Sequence, residues 1–149
     1  MTQIESTTAL PTSSKVLCAV YGAIAIAALI ATWSQNIAYL DTPSGLGGFW
    51  VATKANPASR SITVDIVLFA LAATFLMVIE ARKHGVRFVW LYIIGGLLIA
   101  ISVTFPLFLI ARERRIAAAY PTRLGPVDTT ALCLFTAASA AFVIWVDVL

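Results

Sequence analysis

Charged residues are scarce in this chain, and their scarcity excludes most classes of soluble protein. Only 11% of the 149 residues are charged and 60% are hydrophobic, whereas a soluble domain has about 25% charged and 45–50% apolar residues. This composition is that of a chain embedded in lipid. The net charge of +3 is carried by short clusters beside apolar runs, where Lys and Arg usually meet phospholipid headgroups, so nucleic-acid binding is not expected.

Residues able to ligate a metal are also few. The two cysteines, Cys18 and Cys133, stand inside apolar stretches, where a thiol behaves as a small hydrophobic group. The single histidine, His84, cannot supply a pair of axial haem ligands. We therefore expect no metal and no cofactor. No nucleophile, metal or phosphate-binding motif stands out, which disfavours an enzyme without excluding one.

Four apolar runs reach the roughly 20 residues that a helix needs to cross about 30 Å of hydrocarbon. They predict transmembrane helices at about 16–38, 61–81, 88–112 and 130–148, after a polar N-terminal tail over residues 1–15. The expected fold class is all-α: a single domain over residues 16–149, forming an integral membrane bundle of four transmembrane helices with short loops. Four crossings would place both termini on the same side.

Small residues and glycine indicate how these helices meet. Gly85 is placed to end the second helix in a tight turn, which makes the second and third helices antiparallel neighbours. Small residues recur every fourth position, as close packing in lipid requires, and predict seams between helices. The stripes are Ala19, Ala23, Ala27 and Ala31 on the first helix, Gly96, Ala100 and Thr104 on the third, and Ala137 and Ala141 on the fourth.

Asp65 lies inside the second apolar run and needs a polar partner, because a charge at the bilayer centre costs about 2.5–3.5 kcal/mol. Counting the rise along the helices puts Asp65 level with Thr104 and Arg112 of the third helix. Pro106 would kink that helix at the same depth. The predicted polar site comprises Asn56, Arg60, Asp65, Ser102, Thr104 and Arg112.

Two roles for Asp65 stay open. It can be a buried, hydrogen-bonded acid that fixes packing through Arg60, Arg112 or helix N–H groups. It can instead act as a general acid or base, or help to bind a lipid headgroup that Arg60 and Arg112 grip.

Two further charged clusters lie at helix ends. Glu80 precedes Lys83 by three residues and His84 by four, a spacing that predicts a helix-end ion pair. The other cluster predicts contact with anionic lipids. It consists of Arg112, Arg114 and Arg115.

Basic residues give no single orientation for the four predicted helices. The side that holds the N-terminus would carry Lys15, Arg82, Lys83 and Arg87, and the other side Lys54, Arg60, Arg112, Arg114, Arg115 and Arg123. The count favours the second side as cytoplasmic, yet the lysine nearest the first helix lies on the first side. The two indications disagree.

An ordered set of motifs spans roughly Tyr21 to Arg115. It consists of Asn56-Pro57, Asp65, Glu80-Ala81-Arg82, Phe105-Pro106-Leu107 and Arg112-Glu113-Arg114. In these motifs the chain resembles the bacterial membrane proteins catalogued as domain of unknown function 2834. The resemblance implies a helical membrane protein and no particular activity, and we expect a multi-pass protein of the bacterial cytoplasmic (inner) membrane. Family members resemble three-helix proteins that end after the Arg-Glu-Arg motif, and this chain adds a fourth helix.

Three functions are compatible with this sequence. The leading hypothesis is a non-enzymatic accessory or assembly subunit that packs through its alanine stripes against itself or a larger complex. The alternative is a lipid- or isoprenoid-binding or -modifying protein with a polar site around Asp65. Proton-coupled transport by an oligomer comes third, because four short helices leave little room for alternating access. The expected partners are membrane lipids and other membrane subunits or further copies of the chain.

Overall fold

The structure, a computed structural model, describes residues 10–40, 42–117, 119 and 124–148. Within these residues the chain is helical and has no strand. The elements are α1 Thr12–Leu40, α2 Gly45–Ala52, α3 Pro57–His84, α4 Val89–Gly95, a π-helical stretch Gly96–Ala100, α5 Ile101–Ile116 and α6 Pro126–Val148. Four helical segments are long and apolar enough to cross a membrane, the third of them being Val89–Ile116. The prediction of an all-α membrane bundle with four such segments is confirmed.

The first helix begins before the predicted end of the N-terminal tail. Residues 1–9 of the predicted polar tail lie outside the described residues. Helix α1 already begins at Thr12, so the last residues assigned to the tail are helical.

Local sequence signals set both ends of α3. The Asn56 side chain accepts a hydrogen bond from the Ser59 N–H at 2.9 Å, and the Ser59 hydroxyl accepts one from the Asn56 N–H at 3.2 Å. Pro57 follows at the first helical position, where a missing N–H costs nothing. At the other end Gly85 adopts a left-handed φ of 67°, and its N–H bonds to the Ala81 carbonyl. The turn after α3 therefore falls where glycine predicts it.

The third apolar segment does not run straight, because the chain reverses at Ala100. This residue has extended backbone angles, φ −178° and ψ 141°, between two helical stretches. The rings of Tyr92 and Phe108 lie 5.8 Å apart, whereas continuous helix would separate these residues by about 24 Å. Across the hairpin, a Cβ added to Gly96 would come within 3.0 Å of the Thr104 hydroxyl. Segment 89–116 is thus a helical hairpin in which α4 and α5 are antiparallel.

The hairpin packs against α3 on one side and α1 on the other. Its core joins α3 and the following turn to both arms of the hairpin through Met77, Ala81, Val86, Val89, Ile93 and Phe108. Helix α1 lies along α5 and reaches the hairpin tip, where the Trp33 indole N–H donates to the Ile99 carbonyl at 3.2 Å. This bond satisfies an acceptor at the reversal, where helical partners run out.

Most of the predicted small-residue stripes do not form seams within this chain. A four-residue repeat drifts about 40° per step around a helix, so few of its members can face one neighbour. On α1 the buried positions are Ser14 and Ala25, and the reversal at Ala100 splits the stripe of the third segment. Helix α6 buries none of its described side chains. The exposed stripe residues are Ala19, Ala23, Ala27, Ala137 and Ala141.

The hairpin also changes which end of the bundle carries the basic residues. Because α5 returns to the end where α3 finishes, its arginines join those of the turn after α3. This basic end carries Lys15, Arg82, Lys83, Arg87, Arg112, Arg114 and Arg115, and the opposite end carries Lys54 and Arg60. Arg123 lies outside the described residues. The larger number of basic residues and the position of Lys15 now indicate the same end of the bundle. We therefore expect the basic end to face the cytoplasm.

Cysteine labelling in intact cells should detect the reversal. With Cys18 and Cys133 replaced by alanine, Lys83→Cys should be protected from a membrane-impermeant maleimide, while Lys54→Cys and Asp147→Cys should both react. The reason is that segment 89–116 would enter and leave the membrane on one side, so that α6 ends opposite Lys83. Protection of Asp147→Cys together with Lys83→Cys would show instead that all four segments cross.

Candidate functional site

The structure separates the residues of the predicted polar site. Asp65 is exposed on the outer face of α3, and its carboxylate makes no hydrogen bond or salt bridge to a described residue. Thr104 is buried in the hairpin, where its hydroxyl donates to the Ala100 carbonyl at 3.5 Å, and Ser102 is exposed. Arg112 lies near the opposite end of α3. The predicted convergence is therefore wrong, because it assumed that the third helix crosses without turning back.

The two site residues at the start of α3 do not join Asp65 either. Asn56 uses its side chain to cap the helix through Ser59. Arg60 is exposed, and its guanidinium makes no salt bridge to a described residue. Arg60 and Asp65 lie about 140° apart around the helix, so they face different directions.

A different polar cluster joins the ends of α3 and α5. The Glu80 carboxylate accepts a hydrogen bond from Nε of Arg112 and lies 3.3 Å from Nε2 of His84. The side chains of Glu80 and His84 are only 12% and 15% exposed, and that of Arg112 is 30% exposed. Lys83 is exposed and takes no part in these salt bridges. Helical spacing brings Glu80 to His84, whereas Arg112 reaches them only through the reversal of the chain.

The chemistry of this cluster favours a structural role. A carboxylate that is largely removed from water needs a cation beside it, and the Arg112 guanidinium meets that need. The same contact holds the returning arm of the hairpin against α3. His84 adds a second positive partner when it is protonated. An acid that is already neutralised in this way is poorly suited to exchange protons with a substrate.

Two buried polar groups at the α1–α5 contact are not apparent from the sequence. Glu113 is 2% exposed and its Oε1 has no hydrogen-bond partner, and the fully buried Oγ of Ser14 has none either. Glu113 lies within electrostatic range of Tyr21 on α1. It stands in the run 112–115, which is typical of a solvated basic surface. The one sequence signal is its spacing, seven residues after the buried Pro106 and hence on the same face of α5.

The described part of the chain contains no cluster of side chains that could ligate a metal ion. No group of three or more His, Cys, Asp and Glu side chains lies together there. Cys18 on α1 and Cys133 on α6 are both free thiols, the first half-buried and the second exposed.

We expect Glu80→Gln to lower the free energy of unfolding, because it leaves the Arg112 guanidinium without its carboxylate. The loss should be roughly 2 kcal/mol, below the value for a fully buried pair because Arg112 is partly exposed. Arg112→Gln should cost a similar amount, and the double variant clearly less than the sum. Thermal unfolding in mild detergent measures all three.

The control for this cycle is Arg114→Gln, which removes an exposed arginine from the same helix end. Its effect should stay within about 0.5 kcal/mol. If the effects of Glu80→Gln and Arg112→Gln simply add, the two side chains do not interact and the ion pair does not stabilise the fold.

Comparison with known proteins supplies a family and no activity. No curated protein and no solved structure matches the chain. The family model described as protein of unknown function DUF2834 matches residues 20–114, which confirms the resemblance seen in the motifs. The match runs from α1 to the end of the hairpin and leaves α6 outside. Since it covers more than half of the sequence, this chain belongs to the DUF2834 family of proteins of unknown function.

Proposed function

We propose that this protein is a non-enzymatic assembly subunit of a membrane complex and that it binds its partner through the outer face of α3 around Asp65. The observation that carries the proposal is the position of the Asp65 carboxylate. It is exposed within a segment long and apolar enough to span a membrane, and no described residue bonds to it. A helix of another subunit with a hydrogen-bond donor at this depth would supply what the chain itself does not.

Asp65 is costly to leave in lipid. It lies five residues beyond Arg60, about 7.5 Å further along α3. Its short side chain cannot reach back to water as a lysine or arginine does. A charge at the centre of a membrane helix costs about 2.5–3.5 kcal/mol on insertion scales, which is an upper bound for Asp65 because it lies nearer the end of α3. A partner that donates to Asp65 removes part of this cost on assembly.

The surface around Asp65 suits close contact with another helix. Ala58, Ser61 and Ala72 lie within about 40° of Asp65 around α3, and all are exposed. Small residues let two helix backbones approach each other closely in lipid. The opposite stripe of α3, which includes Met77, is already filled by the hairpin, so the face of Asp65 is available to a partner.

The other hypotheses have less support from the geometry. Lipid modification around Asp65 required Arg112 nearby, but Arg112 bonds to Glu80, about 22 Å of helix rise from Asp65. Proton-coupled transport would need polar groups that continue from Asp65 across the bundle. The exposed face between Asp65 and Glu80 is apolar, with Leu68, Leu76 and Ile79.

Photo-cross-linking in native membranes tests the assembly proposal. A photoreactive phenylalanine analogue at Leu68, one turn from Asp65 on the same face, should form a discrete adduct with a membrane protein. Asp65→Leu should lower the adduct yield about tenfold, because an interhelical hydrogen bond in lipid is worth about 1–2 kcal/mol. Asp65→Asn keeps a hydrogen-bonding group and should retain most of the yield.

Val67 provides the matched control, since it points away from Asp65 and is 59% exposed, as Leu68 is. The analogue at Val67 should not give the adduct, and Val67→Leu should not change the yield from Leu68. Mass spectrometry of the adduct identifies the partner, a second copy of the chain included. The proposal fails if Leu68 gives no adduct or if Asp65→Leu leaves the yield unchanged.

A further inference from the structure

A cleft of about 620 Å³ opens at the basic end, where α3 turns into α4. Three arginines line it: Arg82 from the end of α3, Arg87 from the turn, and Arg115 from the end of α5. Arg115 is far from the other two in sequence and reaches them because the hairpin reverses. All three side chains are exposed.

The cleft has no negative charge of its own. No acidic residue lines it. The salt bridges among described residues join Glu80 to His84 and Arg112, and engage none of the three arginines of the cleft. The cleft therefore concentrates positive charge that an anion from outside the chain can neutralise.

Apolar groups complete the cleft. Val89 is buried at its floor, while Phe88 and Trp90 are 72% and 56% exposed. Phe88 has a left-handed φ of 60°, a conformation uncommon for any residue other than glycine. Exposed aromatic side chains next to basic groups are typical of the boundary between hydrocarbon and headgroups.

We propose that this cleft binds the headgroup of an anionic phospholipid. The phosphate oxygens would accept hydrogen bonds from Arg82, Arg87 and Arg115, whose planar guanidiniums match phosphate geometry. The acyl chains would lie against Phe88 and Trp90. The cleft lies between two apolar segments, because α3 ends at His84 and the hairpin begins at Val89. The ends of membrane-spanning segments lie at the depth of the lipid headgroups.

Charge predicts an order among lipids. Three arginines exceed the charge of one phosphate, so cardiolipin, with two phosphates, should bind more tightly than phosphatidylglycerol, and zwitterionic phosphatidylcholine should bind least. A free phosphate ion shares the headgroup chemistry but would leave Phe88 and Trp90 without a ligand to contact.

Native mass spectrometry of the full chain tests the site, with protein released from phosphatidylcholine nanodiscs that contain cardiolipin or phosphatidylglycerol. Wild-type protein should retain cardiolipin preferentially. The triple variant R82Q/R87Q/R115Q should weaken retention about hundredfold, as expected for three basic residues at an acidic headgroup. The matched control K15Q/K54Q/K83Q removes the same charge from exposed positions outside the cleft and should retain lipid as wild type does.

Circular dichroism and gel filtration check that both triple variants fold. If the cleft variant does not, Arg87→Gln alone replaces it, with an expected loss of about fivefold. Equal losses in the cleft and control variants would mean diffuse attraction to acidic lipid and would overturn the site, as would no loss in the cleft variant.

A separate binding measurement distinguishes a lipid phosphate from a free phosphate ion. Inorganic phosphate that binds wild-type protein, in the absence of any lipid retention, would assign the cleft to a free ion and overturn the lipid proposal. The site does not depend on assembly through Asp65, so Asp65→Leu should keep its cardiolipin. A loss of cross-linking and a loss of lipid can therefore be told apart.

Discussion

The ion pair between Glu80 and Arg112 joins α3 to the returning helix α5 at the base of the hairpin. The hydrophobic effect does not drive helices together in lipid, because the acyl chains are as apolar as the side chains, so close packing and polar contacts must do so. The hairpin is therefore held at its two extremes by polar contacts, this pair at the base and the Trp33 indole on the Ile99 carbonyl at the tip. The packed core around Phe108 lies between them. Without the ion pair, the packing of α5 against α3 would be less stable.

Features that depend on a few neighbouring residues could be predicted from the sequence. The turn at Gly85 and the apolar lengths of the helices belong to this class. The cap at Asn56 also depends on neighbouring residues, but the sequence prediction placed Asn56 in the polar site instead. The reversal at Ala100 could not be predicted, because the groups that stabilise it, such as Trp33, lie far away in the sequence. Every depth counted beyond Ala100 was consequently wrong, which is why the sequence placed Arg112 beside Asp65.

The two proposed contacts use separate parts of the surface. Asp65 lies in the half of α3 that begins at Pro57, and its face is turned to lipid or to a neighbouring subunit. The arginine cleft lies where α3 ends, and the reversal completes it by returning Arg115 to that end. A partner protein and a phospholipid can therefore occupy the chain together without competing.

The hairpin has a consequence for how the protein is made. During synthesis, segment 89–116 emerges as a stretch that the insertion machinery can treat as an ordinary crossing, since it is long and apolar enough. The hairpin contacts both α1 and α3, and Glu80 can pair with Arg112 only after Arg112 has been synthesised. The contact between α3 and the returning arm of the hairpin therefore cannot form until synthesis has passed Arg112.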